Sequence, residues 1–171
     1  RQVSSAASDV YKRQVLPDLL SAYHSKEDKP IIGVYEDYDV YERLANEVRE
    51  FVETGKEVLY FGNSEHFYNN QELVKKWFAT MKNKRTKCRE ILCGDGQIQI
   101  EYKNKVSKLG NPNYQVKLMK PTHEVATEFA VWGTKVVFFS GKGKDLYTIV
   151  VEGKNQIDTQ RAIFEQLWQS L

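Results

Sequence analysis

Glu57-Val58-Leu59-Tyr60-Phe61-Gly62-Asn63-Ser64 reads as a strand that runs into a turn and opens a helix. Val58 to Phe61 is apolar on both alternating faces. A strand tolerates that only when both faces are covered, so Glu57 to Phe61 is expected near the middle of a sheet. Gly62, Asn63 and Ser64 have turn chemistry, and Ser64 is placed to cap the next helix. That helix carries Phe67, Val74, Trp77, Phe78 and Met81 at helical spacing and ends in the basic run Lys82, Lys84, Arg85, Lys87. A run of this kind at a helix end complements the helix dipole.

Working upstream, Ile31 to Tyr35 reads as a strand. A helix follows, capped by Asp37 or Asp39, with its apolar face at Tyr41, Leu44, Ala45, Val48, Phe51 and Val52. Gly55 stands where a helix-ending glycine belongs. Downstream, Cys88 to Cys93 is a third strand, and the strand–helix alternation argues for parallel pairing. Gly94 to Gly110 is polar and turn-rich, with room for a short helix. Strands are then expected at Tyr114 to Met119, Glu128 to Trp132, Lys135 to Ser140 and Leu146 to Val151. The last two form a hairpin around Gly141 to Asp145. A final helix from near Asp158 buries Ile157, Phe164, Leu167, Trp168 and Leu171. The fold class is α/β: one domain of two or three layers with a mixed sheet, a closing β-hairpin and a C-terminal helix.

The first residues need separate treatment. Ser4 to Gln14, SSAASDVYKRQ, resembles one reading frame of a transposase-type sequencing adapter, and residues 1–14 are set aside from the fold. No signal-peptide core is present there. Val15 to Tyr23 reads as the end of a connecting helix, and a polar linker runs on to Lys29. The domain proper is expected over residues 30–171.

Charge and cysteine content narrow the function classes. Val15 to Leu171 carries 22 basic and 22 acidic residues, so the formal +2 of the chain comes from the first 14 residues. A neutral segment lacks the positive field of a phosphate-binding surface and is not expected to hold DNA itself. Cys88 and Cys93 are five residues apart on one strand, so they point to opposite faces and cannot pair. They read as buried, reduced thiols, which fits a cytoplasmic protein. No apolar run approaches the ~20 residues of a membrane helix. No metal or cofactor is expected.

Several segments invite a chemical reading. Gly141-Lys142-Gly143-Lys144 has the composition of a phosphate loop, but it joins two strands instead of a strand and a helix. The Phe61-Gly62-Asn63-Ser64 turn is the loop nominated for ligand contact, because backbone N–H groups at the end of a central strand favour a hydroxyl or an anion. Glu36, at the end of the first strand, expected to neighbour this one, is the second candidate. Trp77 and Trp168 sit on apolar helix faces and read as core, and Trp132 lies near a strand end.

The order and spacing of four segments resemble the C-terminal domain of TrmB-family transcriptional regulators. Lys29-Pro30-Ile31-Ile32-Gly33-Val34-Tyr35-Glu36 is similar to the family's opening strand, with Asp37 where the family often has Gly. Glu57 to Ser64 resembles its strand and F-G-S turn. Lys84-Arg85 through Leu92 is similar to its basic helix end and following strand. Lys135 to Val137, Ile149 to Glu152 and Ile157 to Trp168 resemble its closing hairpin and last helix. The resemblance implies a phospholipase D-like fold that has lost its catalytic residues and serves effector sensing or dimerisation. It further implies a sugar-like effector, a homodimer, and a winged-helix DNA-binding domain on the N-terminal side that this chain does not include. Two alternatives are a catalytic phospholipase D-like phosphodiesterase or nuclease and a ligand-free assembly domain. The catalytic motif H-x-K-x-x-x-x-D is not met: His24-Ser25-Lys26 is followed by Ile31 where Asp is required, and neither His66 nor His123 fits. No enzyme activity is therefore expected.

Overall fold

The computed structural model describes residues 29–171, apart from Asp37, Asp95 and 142–145. The adapter-like segment, the expected connecting helix at Val15 to Tyr23, His24 and the Asp37 cap lie outside the described residues. The chain divides into two units, Arg1–Pro30 and Ile31–Leu171, and every element below belongs to the second.

The elements are β1 (Ile31–Tyr35), α1 (Tyr38–Glu53), β2 (Glu57–Gly62), α2 (Glu65–Asn69), α3 (Gln71–Met81), β3 (Lys87–Cys93), α4 (Gln97–Lys108), β4 (Tyr114–Met119), β5 (Thr127–Trp132), β6 (Lys135–Ser140), β7 (Tyr147–Glu152) and α5 (Lys154–Ser170). They build a mixed sheet of seven strands in the order β1-β7-β6-β5-β2-β3-β4. Pairing is parallel for β2–β3 and β3–β4 and antiparallel for β2–β5, β5–β6, β6–β7 and β1–β7. The expected hairpin of the last two strands is present, with Lys135 opposite Glu152 and Ser140 opposite Tyr147.

β2 is internal, as its two apolar faces require. Val58 and Leu59 are both buried, on opposite sides of the sheet. β1 departs from the expectation of a parallel β1–β2–β3 run, because it pairs with β7 at the far edge. The link from β1 to β2 must cross about 19 Å at the usual strand spacing. The 16 residues of α1 provide about 24 Å of helix for that crossing. Periodicity identified β1 as a strand, but pairing depends on which edge the following helix can reach.

The helices form two unequal layers. α1 to α4 cover one face, where Tyr41, Leu44, Trp77, Met81 and Tyr102 pack on Val58, Cys88, Leu92, Ala130 and Val137. α5 alone covers the other, with Ile157 and Phe164 packing on Leu59, Ile91, Phe129, Val131 and Val136. The result is a three-layer α/β/α arrangement. The 94–110 stretch holds a helix of 12 residues, longer than the short one expected. α5 starts at Lys154, one turn before Asp158, and its terminal Leu171 is exposed, not buried. The expected single helix after Ser64 is two. Ser64 makes no side-chain cap hydrogen bond, and Asn70 caps α3 by accepting from the Leu73 N–H at 3.1 Å. This break turns Leu73, Trp77 and Met81 inward, while Val74 and Phe78 are half-buried. The basic run Lys82 to Lys87 is solvent-exposed except for Thr86, which is buried. Gly55, at φ 79°, ends α1 and donates to the Val52 carbonyl, a backbone conformation that favours glycine.

Arg89 fastens α5 to the sheet. Its guanidinium meets Glu57 of β2 through Nε–Oε1 at 2.8 Å and Nη2–Oε2 at 2.9 Å, and reaches Glu165 of α5 through Nη1–Oε2 at 2.8 Å. The rings of Phe164 and Trp168 lie 5.6 and 5.4 Å from it. Lys117 of β4 donates to the Trp168 carbonyl at 2.7 Å, satisfying an acceptor in the last turn of α5. Replacing Arg89 by Ala removes two forked carboxylate contacts and a cation–ring stack. It should cost about 2–3 kcal/mol. Urea unfolding of Arg89→Ala beside the parent chain measures this, and a change below a few tenths would show that α5 is held by its apolar face alone.

Candidate functional site

A cavity lies on the α1–α4 face, between α1 and α3, above the middle of the sheet. Its volume is about 90 Å³, several times the ~10–15 Å³ that one water needs. Tyr60 of β2, Cys88 and Glu90 of β3, and Glu128, Ala130 and Trp132 of β5 form the floor. α1 provides Tyr41, Leu44, Val48 and Arg49 overhead, and α3 closes the side with Leu73, Lys76 and Trp77. α1 is held over this space by Glu47, which accepts from Trp132 Nε1 at 3.1 Å and from Lys135 Nζ at 2.7 Å.

Glu90 is the unusual group. β3 lies inside the sheet, so its alternating side chains are covered on both faces: Arg89 points to α5 and Glu90 to the cavity. Only 4% of Glu90 is exposed. Its Oε1 accepts from Tyr114 at 2.8 Å, from Tyr102 at 3.1 Å and from the Cys88 thiol at 3.6 Å. The Tyr102 and Tyr114 hydroxyls are 2.6 Å apart, and Trp77 Nε1 donates to the Tyr114 hydroxyl at 2.8 Å. Four elements are thereby tied to one carboxyl oxygen. The other oxygen, Oε2, is buried and has no hydrogen-bond partner among the described residues. Burial pushes the Glu90 pKa up to about 7, against the opposing pull of the Tyr114, Tyr102 and Cys88 hydrogen bonds. Burial, reinforced by the Glu90 charge, also raises the Cys88 thiol and the two tyrosines well above their ordinary values.

A second carboxyl, Glu128, lies one strand beyond β2. Tyr60 donates to its Oε2 and accepts the Ser64 N–H at 3.0 Å. Burial, and then the Glu128 charge, lifts the Tyr60 pKa far above the ordinary phenol value. Gly62 makes this approach possible: a Cβ there would lie 2.6 Å from Glu128 Cβ and 2.7 Å from the Tyr60 hydroxyl.

The nominated turn therefore borders the cavity, but in a different role. Ser64 lines it, buried and left-handed at φ 62°. Its N–H already serves Tyr60, and the five-residue α2 offers too short a dipole for an anion site. Asn63 faces α4, its carbonyl accepting from Gln99 at 3.4 Å. Glu36 is not brought to this turn, because β1 stands four strands away at the sheet edge, where Glu36 is exposed. Trp77 is buried, as expected for a core residue, and its indole N–H also serves the Glu90 network. Cys88 and Cys93 are free and buried on opposite faces, and burial raises the Cys93 thiol to about 12.

Glu90 was missed by sequence reasoning, although a signal was present. Arg89-Glu90 is a charged pair inside Cys88-Arg89-Glu90-Ile91-Leu92-Cys93. In an internal parallel strand both charges must be buried and partnered, one on each face. No group of three or more His, Cys, Asp or Glu arranged to hold a metal occurs among the described residues, and no helix there is long and apolar enough to cross a membrane. No protein-family model, curated protein or solved structure matches the chain.

Two outcomes follow for stability. Between about pH 4.5 and 7 the unfolded chain has released the Glu90 proton while the folded chain keeps it. The folded state then binds more protons, so the Glu90 contribution falls as pH rises through this window, by up to about 3 kcal/mol, and levels off above it. Chemical unfolding from pH 4 to 8 should show this fall in the parent chain and a flatter profile in Glu90→Gln; identical profiles would assign the slope elsewhere. Gly62→Ala must displace Glu128 or the strand and should lose about 1–3 kcal/mol by the same assay.

Proposed function

We propose that this chain is the effector-sensing domain of a TrmB-like transcriptional regulator, built on a phospholipase D-like α/β fold without catalytic function. The observation that carries the sensing part is the cavity between α1 and α3, with Glu90 on its floor, whose buried Oε2 has no hydrogen-bond partner among the described residues. Ligand sites are concave and mostly apolar with a few convergent polar groups, and this space shares that kind of lining. Its walls come from separate helices, so a ligand that binds one spacing of α1 and α3 better than another shifts their equilibrium. The mixed seven-stranded sheet with a closing hairpin and a C-terminal helix agrees with the architecture that the sequence resemblance implies. DNA contact is assigned to a winged-helix domain encoded upstream of Val15, in keeping with the neutral charge of Val15 to Leu171. A cytoplasmic location follows from that role.

A specific observation also favours assembly. β1 is an edge strand whose Ile31, Ile32 and Val34 are 56–61% exposed, with no charge among its five residues. Exposed apolar edges of this kind are templates for pairing between chains. Homodimerisation is therefore the companion reading, and the two are compatible in one domain.

Thermal-shift screening of the 171-residue chain against sugars and other small metabolites, with light scattering for mass, tests the sensing function. The expected result is a rise of several degrees with one compound class at concentrations well above its Kd. A stable dimer that responds to no compound would make this an assembly domain, and phosphodiester hydrolysis would restore the enzymatic alternative.

A further inference from the structure

The cavity chemistry selects among effector classes. This inference rests on the sensing reading and deepens it. A sugar needs many donors and acceptors around its rim, whereas this space is lined chiefly by aliphatic and aromatic side chains. Leu44, Val48 and Leu73 form apolar wall, and the rings of Tyr41, Phe67 and Trp77 border it. The floor includes the Glu90 carboxyl, whose buried Oε2 lacks a partner among the described residues. An acidic oxygen at the bottom of an aromatic-walled apolar space matches an organic cation, because rings attract cations through their faces and a carboxylate supplies the counter-charge.

We propose that the ligand of this cavity is a small apolar amine, its ammonium group donating to Glu90 Oε2 and its hydrocarbon body lying against Leu44, Val48 and Trp77. Binding leaves Glu90 ionised: the carboxyl proton departs to solvent, and the ammonium N–H takes its place as the hydrogen-bond partner of Oε2. The other cavity charges allow this. Lys76 is held by Glu72 at 2.6 Å and Arg49 by Glu53 at 3.8 Å, both within their own helices. Lys76 is half exposed, at the mouth of the space. Arg49 Nε is buried without a partner among the described residues. It accommodates a ligand that carries an acceptor beside its amine. Glu128 of β5, engaged by Tyr60, adds a second negative group to the floor. Tyr102 of α4, Tyr114 of β4 and Cys88 of β3 face Glu90 as donors and remain protonated through neutral pH.

The pH dependence of such binding has a fixed sign. Below about pH 7 the proton competes with the ammonium for Glu90. Affinity should fall about tenfold for each pH unit below that point and be flat from there to the pKa of the amine.

The test is isothermal titration of the full chain with isobutylamine, isoamylamine, isoamyl alcohol and isovalerate, with glucose and maltose as sugar probes, at pH 5.5, 6.5 and 7.5. The amines are expected to bind at least tenfold more tightly than the isosteric alcohol and the acid, and more tightly at pH 7.5 than at 5.5. Glu90→Gln keeps an acceptor for Tyr102 and Tyr114 and should lose the amine preference and its pH dependence. If that variant does not fold, the parent chain's pH profile and its amine-to-alcohol ratio decide the matter. Equal binding of amine and alcohol, or amine binding that ignores pH, overturns the proposal. A sugar that binds while the amines do not overturns it as well and leaves the sensing function standing. Failure of all six probes removes the amine proposal, and the broader thermal-shift screen then decides the sensing reading separately.

Discussion

A carboxyl group fixed in the middle of an apolar layer is the constraint around which this domain is arranged. Glu90 cannot turn outward, because β3 is internal and Arg89 takes the opposite face. Leaving such a group without donors would cost several kcal/mol, so the surrounding sequence supplies them. Tyr114 comes from the neighbouring strand, Tyr102 from the helix that leads to it, and Trp77 secures Tyr114 from α3. These residues are scattered along the chain, and their common oxygen fixes how α3, α4 and β4 sit on β3. The network satisfies Oε1 and leaves Oε2 buried without a hydrogen-bond partner among the described residues, in a side chain that lines the cavity.

The same strand organises the other face. Arg89 draws Glu57 and Glu165 together and is flanked by Phe164 and Trp168, so one residue step along β3 separates a structural clamp from a candidate binding group. The division bears on the proposed sensing role. α5 is fastened by charge, apolar packing and Lys117, whereas α1, the roof of the cavity, is tied near it through Glu47 to Trp132 and Lys135. An element that must respond to an occupant is better placed on the face whose contacts surround an open space than on the one that is closed by ion pairs.

Much of this architecture was legible in the sequence. Alternation and turn residues located the strands, and β2 was recognisable as internal because Val58 to Phe61 leaves neither face polar. The hairpin of β6 and β7 and the ending of α1 at Gly55 were equally readable, being local events. Pairing over distance was not: nothing in Ile31 to Tyr35 says that the strand joins β7 and not β2, so Glu36 was placed beside a turn from which it is four strands removed. The helix break at Asn70 was hidden because Phe67 and Trp77 fit one uninterrupted period, and the Asn70 cap competes with that period only once α3 packs. The turn Gly62 to Ser64 was found, but its part is to bring Tyr60 and Glu128 together. The burial of Glu90 was deducible from an Arg-Glu pair in an internal strand. Its tyrosine donors were not, since they lie 12 and 24 residues away.

The ionisation of Glu90 is the point on which the account stands. Carbon-13 NMR of the chain labelled at glutamate Cδ, with Glu90→Gln identifying the resonance, reports it directly. A desolvated Glu90 gives a midpoint near 7 in the free chain. A midpoint near the ordinary glutamate value of about 4.3 would mean a solvated carboxylate, and would contradict a desolvated acid on the cavity floor.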